Sequence, residues 1–550
     1  MSGLAHHLII LPIVLPLATG AFLLLLDERR HTLKALISLF SVLLVVWAVV
    51  ALLLQANTPL PQTAVPQVTV YRLGSWPAPF AIVLVLDRLS AMMLALTAIL
   101  ALSTLIFSLA RWHRVGPHFH SLFQFLLVGL NGAFLTGDLF NLFVFFEILL
   151  AASYGLVLHG SGHARVRGGL HYIAINLAAS SLFLIGISLV YGVTGTLNMA
   201  DIAMQAPAIA PGDRVLFEAG MAILGVAFLV KAGMWPLGFW LPGAYAPAAA
   251  PMAAFFAIMT KVGVYIILRL SLLLLGAGAG ASAYFGDPWL VTGGIITVLF
   301  GTIGILAAQD LPRLASYMVV ISSGTLLALI GVGDTAVTAG ALFYLLSSTL
   351  AIAAFFMLIE LVARGQAAGA DVLAVTMEAY GETNIDEDDD DGEAVTGVSI
   401  PATMAILGLC FMACALLLAG LPPLSGFIAK FVLIKALFQQ PEVIPGTVGS
   451  TAWILTALLL ASGFAAVIAM VRAGIKSFWL PLDGTVPRVR VVEIVPVAGL
   501  ILLCVGLTAG AGPAMRFADA TAQNLHFPGD YIRAVLPADF QAPALSGGPQ

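Results

Sequence analysis

Residues 231–251 read KAGMWPLGFWLPGAYAPAAAP, and residues 419–431 read AGLPPLSGFIAKF. Both stretches place prolines in the middle of apolar runs that are long enough to cross a bilayer. Because proline removes a backbone donor and clashes with the preceding turn, each run is expected to form a broken helix. In lipid the freed carbonyls need protein or water as partners, so such breaks often mark functional sites; an ordinary proline kink is the alternative. The breaking residues are Pro236, Pro242, Pro422 and Pro423.

The composition of the whole chain indicates a membrane protein. Of its 550 residues 61% are hydrophobic and only 9% are charged, with a mean hydropathy of +1.05. Soluble domains have about 45–50% apolar and about 25% charged residues, so soluble enzymes, nucleic-acid binders and disordered scaffolds are excluded. The apolar runs are continuous rather than alternating, which favours helices over a transmembrane barrel.

Apolar windows define the predicted spans and their grouping. The fourteen windows lie near 8–26, 34–54, 81–110, 119–137, 138–158, 169–192, 216–241, 250–272, 289–307, 314–333, 338–362, 400–438, 450–475 and 491–511. Spans four to eight and nine to thirteen make two sets of five, each with its break in the fourth member. An odd number of spans inverts the second set relative to the first. The predicted fold is therefore an all-α polytopic membrane protein of about 14 transmembrane helices, with two inverted five-helix repeats that each contain a broken helix.

The domain organisation follows from this grouping. It consists of transmembrane helices one to three in 1–115, a first repeat in 116–272 broken near 231–243, a second repeat in 285–476 broken near 420–430 with an acidic loop in 365–398, a C-terminal helix in 490–511, and a tail in 512–550.

The charge distribution predicts an orientation. The net charge is −5, but residues 371–393 carry ten acids, and the rest of the chain carries +5. With the N-terminus outside, thirteen Lys and Arg residues fall in inside loops and six outside. The positive-inside rule then predicts that both termini are periplasmic or extracellular and that the acidic segment is cytoplasmic. This segment is either a solvated linker or a cation-collecting or docking surface.

Among the ionisable residues within the predicted spans, the following stand out: Glu147, Lys231, Lys261, Lys430 and Lys435. Placing each of these charged side chains at mid-bilayer costs about 2.5–3.5 kcal/mol of insertion free energy, so such residues are expected to have a function. A structural ion pair between Glu147 and one lysine is one interpretation, but it leaves an excess of buried amines. Amines that alternate between charged and neutral forms, joined by water, are instead typical of a proton path. Lys435 lies near a span end, where an interfacial anchor is favoured.

Five stretches of the chain carry a resemblance to a known family. They are GDLFNLFVFFEILLAASYGL (137–156), NLAASSLFLIGISLVYGVTGTLNMADIA (176–203), FLVKAGMWPLGFWLPGAYAPAAAP (228–251), TKVGVYIILR (260–269) and GLPPLSGFIAKFVLI (420–434). With these residues the chain resembles the antiporter-like subunits shared by respiratory complex I and the multisubunit cation/proton antiporters. Within that group it is similar to the D-type subunits of the Mrp (or Pha) Na⁺(K⁺)/H⁺ antiporters.

The resemblance implies roles for matching residues. Glu147 and Lys231 match the family's essential pair, Lys261 matches a bridging lysine, and Lys430 matches the terminal lysine that connects to the outside. One position departs from the family pattern: where relatives often have a histidine in the eleventh span, this chain has Ser347, followed by Ser348. These hydroxyls are expected to order water but cannot hold a proton at neutral pH.

The predicted function is that of a proton-translocating subunit of a multisubunit monovalent cation/proton antiporter in the bacterial inner membrane. Inward proton flow would drive efflux of Na⁺ or K⁺. The implied partners are membrane lipid and other subunits of the A/B, C, E, F and G types, with no nucleic acid, no cofactor and no identifiable metal site. The alternative is a proton-pumping membrane subunit of a complex I-like NADH-quinone oxidoreductase or a membrane-bound hydrogenase. A permease for an organic solute is a weaker alternative.

Overall fold

A computed structural model describes residues 7–57, 68–76, 78, 81–379, 402–439, 448–478 and 489–536 of the chain. Its helices are α1 Leu11–Leu24, α2 His31–Asn57, α3 Arg88–Leu109, α4 Phe119–Leu135, α5 Leu139–Val157, α6 His163–Thr194, α7 Met199–Gln205, α8 Pro211–Ala232, α9 Trp240–Tyr245, α10 Ala250–Leu274, α11 Asp287–Ala307, α12 Leu311–Ile330, α13 Thr335–Ala379, α14 Ala402–Ala419, α15 Ser425–Phe438, α16 Val448–Phe478, α17 Val491–Ala509, α18 Ala511–His526 and α19 Gly529–Val535. Two short strands, β1 Thr69–Arg72 and β2 Val83–Leu86, pair antiparallel.

The helices confirm an all-α polytopic membrane protein. In the described part of the chain, twelve helices are long and apolar enough to cross a membrane, and α1 and α4 are shorter apolar helices, which makes fourteen in all. The span predicted at 400–438 consists of two helices, α14 and α15.

Both breaks predicted from the prolines are present. Helix α8 ends at Ala232, and α14 ends at Ala419; a glycine in the left-handed conformation follows each, Gly233 with φ 78° and Gly420 with φ 75°. A cis peptide bond precedes Pro236 in the first break and Pro423 in the second. Left-handed glycine is a common way to end a helix because it has no Cβ to clash with the turn.

Three helices form the buried centre of the molecule. The most apolar window of α10 is 94% buried, and those of α12 and α13 are each 89% buried. Peripheral helices such as α6, α11 and α17 instead expose much of their apolar surface. An exposed apolar surface suits lipid or a neighbouring membrane subunit, whereas the central helices are shielded from both.

A buried ion pair fixes α10 to the start of α3. Asp87 caps α3 by accepting from the Ser90 backbone N–H at 2.8 Å, and it also binds the guanidinium of Arg269. The guanidinium compensates the negative charge of this buried carboxylate. The ring of Tyr531 in α19 covers the guanidinium at 5.3 Å.

The predicted tail contains two helices that were not expected from the sequence. Helices α18 and α19 occupy 511–535, and α18 packs against α13. His526 and Thr338 are in hydrogen-bond contact at 2.9 Å, and Arg72 donates to the Val535 carbonyl at 3.3 Å. These contacts tie the C-terminal helices to the body of the protein.

Candidate functional site

Glu147, in the middle of α5, lies at the periphery of the protein. Glu147 is the ninth of the nineteen residues of α5, and its carboxylate accepts a hydrogen bond from the Ser180 hydroxyl of α6. Its side chain is half-buried, whereas the preceding Phe146 is fully buried and Val144 is exposed. Among the described residues the Ser180 hydroxyl is the hydrogen-bond partner of this carboxylate, and part of the Glu147 side chain remains accessible.

Lys231 lies in the last turn of α8, immediately before the first break, and is 1% exposed. Its amine donates to the Tyr172 hydroxyl at 3.3 Å and to the Asn176 side-chain oxygen at 3.5 Å. The amine also lies 5.5 Å from the ring centre of Phe146. The break therefore holds an amine among neutral oxygens and aromatic faces, all of which suit a positive charge.

One face of α6 connects these two groups. Tyr172, Asn176 and Ser180 are four residues apart, so they lie on the same side of the helix. The first two bind Lys231, and the third binds Glu147. No ion pair joins Glu147 to Lys231 in the described part of the chain, so the connection between them runs through α6. These three α6 residues were not predicted from the sequence, although polar side chains every four positions in an apolar span were a usable signal.

Lys261 lies in the centre of the molecule. It is 0% exposed on α10, and its amine donates to the Ser323 hydroxyl of α12 at 3.2 Å. The neighbouring Ser322 is in hydrogen-bond contact with Ser348 of α13 at 3.0 Å. Of two adjacent serines on α12, one thus contacts Lys261 and the other contacts α13.

A small cavity of 30 Å³ lies next to Ser322 and Ser348. Its polar lining includes Ser322, Ser347, Ser348 and Lys430, and Ser347 also contacts the Ser425 hydroxyl at 2.8 Å. This volume holds about two water molecules. Ser347 and Ser348, the residues predicted to order water, therefore lie in the space between Lys261 and Lys430.

Lys430 follows the second break and binds one backbone carbonyl at the start of the break and another in α16. Its amine donates to the Ala419 carbonyl at 2.8 Å and to the Leu459 carbonyl at 3.4 Å. A β-carbon at Gly463 would lie 2.7 Å from this amine, so glycine provides the room for it. Lys435, in the following turn, is exposed, and its role as an interfacial anchor stays a prediction.

The four predicted prolines lie in the two breaks. Pro236 is exposed, and the N–H of the preceding Trp235 donates to Thr297 of α11 at 2.9 Å. Pro242 lies within α9, and Pro422 and Pro423 precede α15. Within the described ranges no group of three or more His, Cys, Asp and Glu residues is arranged to hold a metal ion.

Sequence comparison identifies related proteins over almost the whole chain. Residues 136–456 match the family model described as "NADH:quinone oxidoreductase/Mrp antiporter, TM". The chain is 60% identical over 539 residues to the D subunit of a probable K⁺/H⁺ antiporter of Rhizobium meliloti (strain 1021), covering 98% of this chain and 99% of that protein. It is 34% identical over 537 residues to the D subunit of a Na⁺/H⁺ antiporter of Alkalihalophilus pseudofirmus, covering 96% and 99%.

Solved structures share the fold. A chain of the Mrp complex from Dietzia sp. DQ12-45-1b superposes with a TM-score of 0.79 at 24% identity, over 97% of this chain and all of that one. A chain of respiratory complex I from Thermus thermophilus with bound NADH gives 0.69 at 20% identity, over 95% and 99%. At these identities the likeness concerns the fold alone, and it covers both classes of complex.

Proposed function

The chain belongs to the NADH:quinone oxidoreductase/Mrp antiporter family as an antiporter subunit of the D type, and we propose from this premise that it conducts the protons that its complex exchanges for K⁺. K⁺ is proposed because the relative that is 60% identical is named as part of a K⁺/H⁺ antiporter; Na⁺, named for the more distant relative, is the alternative cation.

One observation carries the proposal: polar contacts accompany the buried charges from α5 to α16. Glu147 of α5 and Lys231 of α8 bind the same face of α6. Lys261 contacts α12, and Lys430 lines the cavity between α12 and α16. Each charge costs about 2.5–3.5 kcal/mol at mid-bilayer, so hydrogen-bonded partners at every position are needed to retain it. A row of such charged groups is more typical of a proton path than of a permease that binds one solute in a pocket.

In this path the lysines store the proton, and the serines order the water through which it moves. A hydroxyl donates and accepts but does not ionise at neutral pH, so Ser322, Ser347 and Ser348 order water between sites that can store charge. When Glu147 is ionised, its field favours the charged form of Lys231. The half-buried position of Glu147 allows a charged group of a neighbouring protein to attract the carboxylate away. Lys231 then loses the field of that carboxylate, and its proton moves toward Lys261.

The direction of flow follows from the proposed orientation. Both termini lie outside the bacterial plasma membrane, so the basic loops and the acidic segment at 371–393 are cytoplasmic. Residues 380–393 of that segment lie outside the described part of the chain. Protons enter the cell through this subunit, and the membrane potential supplies about 2.3 kcal/mol per charge per 100 mV.

The assembly around the chain is proposed from the same family membership. Other membrane subunits are its partners, and we assign them to the A/B, C, E, F and G types. We also propose that 116–272 and 285–476 are inverted repeats, because each contains a helix that ends at a glycine in the left-handed conformation.

The test uses everted vesicles from a host without its own antiporters, expressing the whole complex. A respiratory pH gradient is built, K⁺ or Na⁺ is added, and a pH dye is followed. Glu147→Gln and Lys231→Ala are each expected to abolish the cation-dependent collapse of the gradient, while the matched change Lys435→Ala leaves it intact. Normal exchange by either path variant would refute the assignment. Proton pumping that requires a redox donor and ignores both cations would support the complex I-like alternative.

A further inference from the structure

An open groove of 930 Å³ lies at the end of the molecule where α6 begins. Three parts of the chain line it: the first turns of α6, the segment around α9, and the start of α12. The groove therefore bridges both predicted repeats and covers the first break. The distribution of basic residues places this end of the molecule on the cytoplasmic side.

The groove is basic. Arg167 from α6 and Arg313 from α12 both line it and are exposed, and His163 and His171 add two further nitrogen-bearing rings. Asp310 is the acid in the lining, and its carboxylate lies 3.9 Å from the guanidinium of Arg313 in an exposed pair. Exposed pairs at this distance contribute little, so both arginines are available to an incoming anion. Among the described residues, Arg167 takes part in no ion pair.

The surfaces beside the groove are apolar. On α6, Val166 is 41% exposed and Leu170 is 59% exposed; on α11, Ile303 is 67% exposed. Phe239 lines the groove itself and is 58% exposed. A ligand that fills this site thus meets positive charge in the groove and hydrocarbon surface on its flanks. This is the profile of an amphiphile with an anionic head.

We propose that the groove binds the phosphate group of an anionic phospholipid, with Arg167 and Arg313 on the phosphate and the acyl chains along α6 and α11. Basic pockets between transmembrane helices on the cytoplasmic side are suited to anionic headgroups. The apolar flanks favour a lipid over free phosphate. The inference relies on the membrane orientation of the proposed function but not on its proton path.

The lipid would hold together the elements around the first break. A β-carbon at Gly168 would lie 2.2 Å from the Gly243 carbonyl, so α6 touches α9 directly beneath the groove. Trp240 of α9 donates from its indole to the Val230 carbonyl at 3.2 Å, next to Lys231. A phosphate bound by both α6 and α12 therefore restrains the segment that follows Lys231.

The experiment measures lipid retained by the purified intact complex, using native mass spectrometry after delipidation and titration with phosphatidylglycerol or phosphatidylcholine. The double variant Arg167→Gln/Arg313→Gln is expected to lose about 30-fold in its preference for phosphatidylglycerol, the effect of two arginines near a membrane surface. The control Arg29→Gln/Arg30→Gln removes two exposed charges from a loop predicted on the same side and is expected to keep the preference. Asp310→Asn is expected to strengthen it.

Three outcomes would overturn the proposal. The first is equal phosphatidylglycerol retention by the double variant and the control, provided that both elute as intact complexes. The second is displacement of the lipid by millimolar inorganic phosphate, which would make this a free-anion site. The third is a protein subunit that occupies the groove in the intact complex. The same titration with Glu147→Gln separates this proposal from the proposed function, since that variant is expected to lose exchange and keep lipid binding.

Discussion

Replacing Ser180 by alanine removes the hydrogen bond that its hydroxyl donates to Glu147. A hydrogen bond to a charged group contributes about 1.5–3 kcal/mol. That is comparable with the cost of about 2.5–3.5 kcal/mol for an ionised group at mid-bilayer, so this one contact offsets much of the cost of keeping Glu147 charged. Its loss leaves the carboxylate about 10–150-fold less strongly held in its place beside α6. Glu147 is then no longer fixed on the face of α6 that also binds Lys231.

The assay is the initial rate of cation-dependent collapse of a pH gradient in everted vesicles. Ser180→Ala is expected to lower this rate about tenfold or more, and Ser180→Thr, which keeps the hydroxyl, is expected to retain most of it. Ser181→Ala is the matched control, because Ser181 is exposed and its hydroxyl donates only to the Leu177 carbonyl of its own helix, at 3.2 Å. Equal rates for the two alanine variants, at equal amounts of complex, would refute the reasoning.

Other changes test separate parts of the structure. Asn176→Leu removes an oxygen that binds Lys231, and we expect a several-fold lower exchange rate with normal assembly, measured in the same vesicles. Ser347→Ala removes a hydroxyl from the 30 Å³ cavity; slower exchange and a larger solvent isotope effect are expected. Arg269→Leu leaves Asp87 as an unpaired buried charge and should cost about 3–5 kcal/mol, read as a lower midpoint of thermal unfolding in detergent, whereas no change would contradict the pair's role. Burial and neighbouring positive groups lower the pKa of His113 to about 4 in the folded protein. The unfolded chain therefore binds one more proton than the folded one between about pH 6.5 and 4, so the free energy of unfolding falls as the pH drops through this range. His113→Gln should flatten that loss.

The sequence predicts the broken helices well because their cause is local. Proline cannot continue a helix, and glycine ends one, so 231–251 and 419–431 reveal their conformation without reference to the rest of the chain. The charged residues Glu147 and Lys231 are equally conspicuous, since so few charges lie within the apolar runs. The connection between them was harder to predict, because the side chains that link them belong to a third helix.

The remaining features depend on tertiary packing. Asn176 and Ser180 face the site only because α6 has a particular rotation against α5 and α8, and hydropathy does not fix that rotation. Helix α18 was not predicted for a different reason: Ala511–His526 has separate polar and apolar faces, so its average hydropathy is too low for a membrane window. Its stability comes from packing against α13, which the sequence does not display.

The most direct test of the central claim uses the purified intact complex in proteoliposomes without any redox donor. An outward K⁺ gradient is imposed with valinomycin absent, and internal pH is followed with a trapped dye. The account predicts that K⁺ leaving the liposomes drives protons inward, and that Glu147→Gln stops the proton movement while the complex remains assembled. A proton flux that persists in Glu147→Gln, or one that appears only when a quinone and an electron donor are supplied, would contradict it.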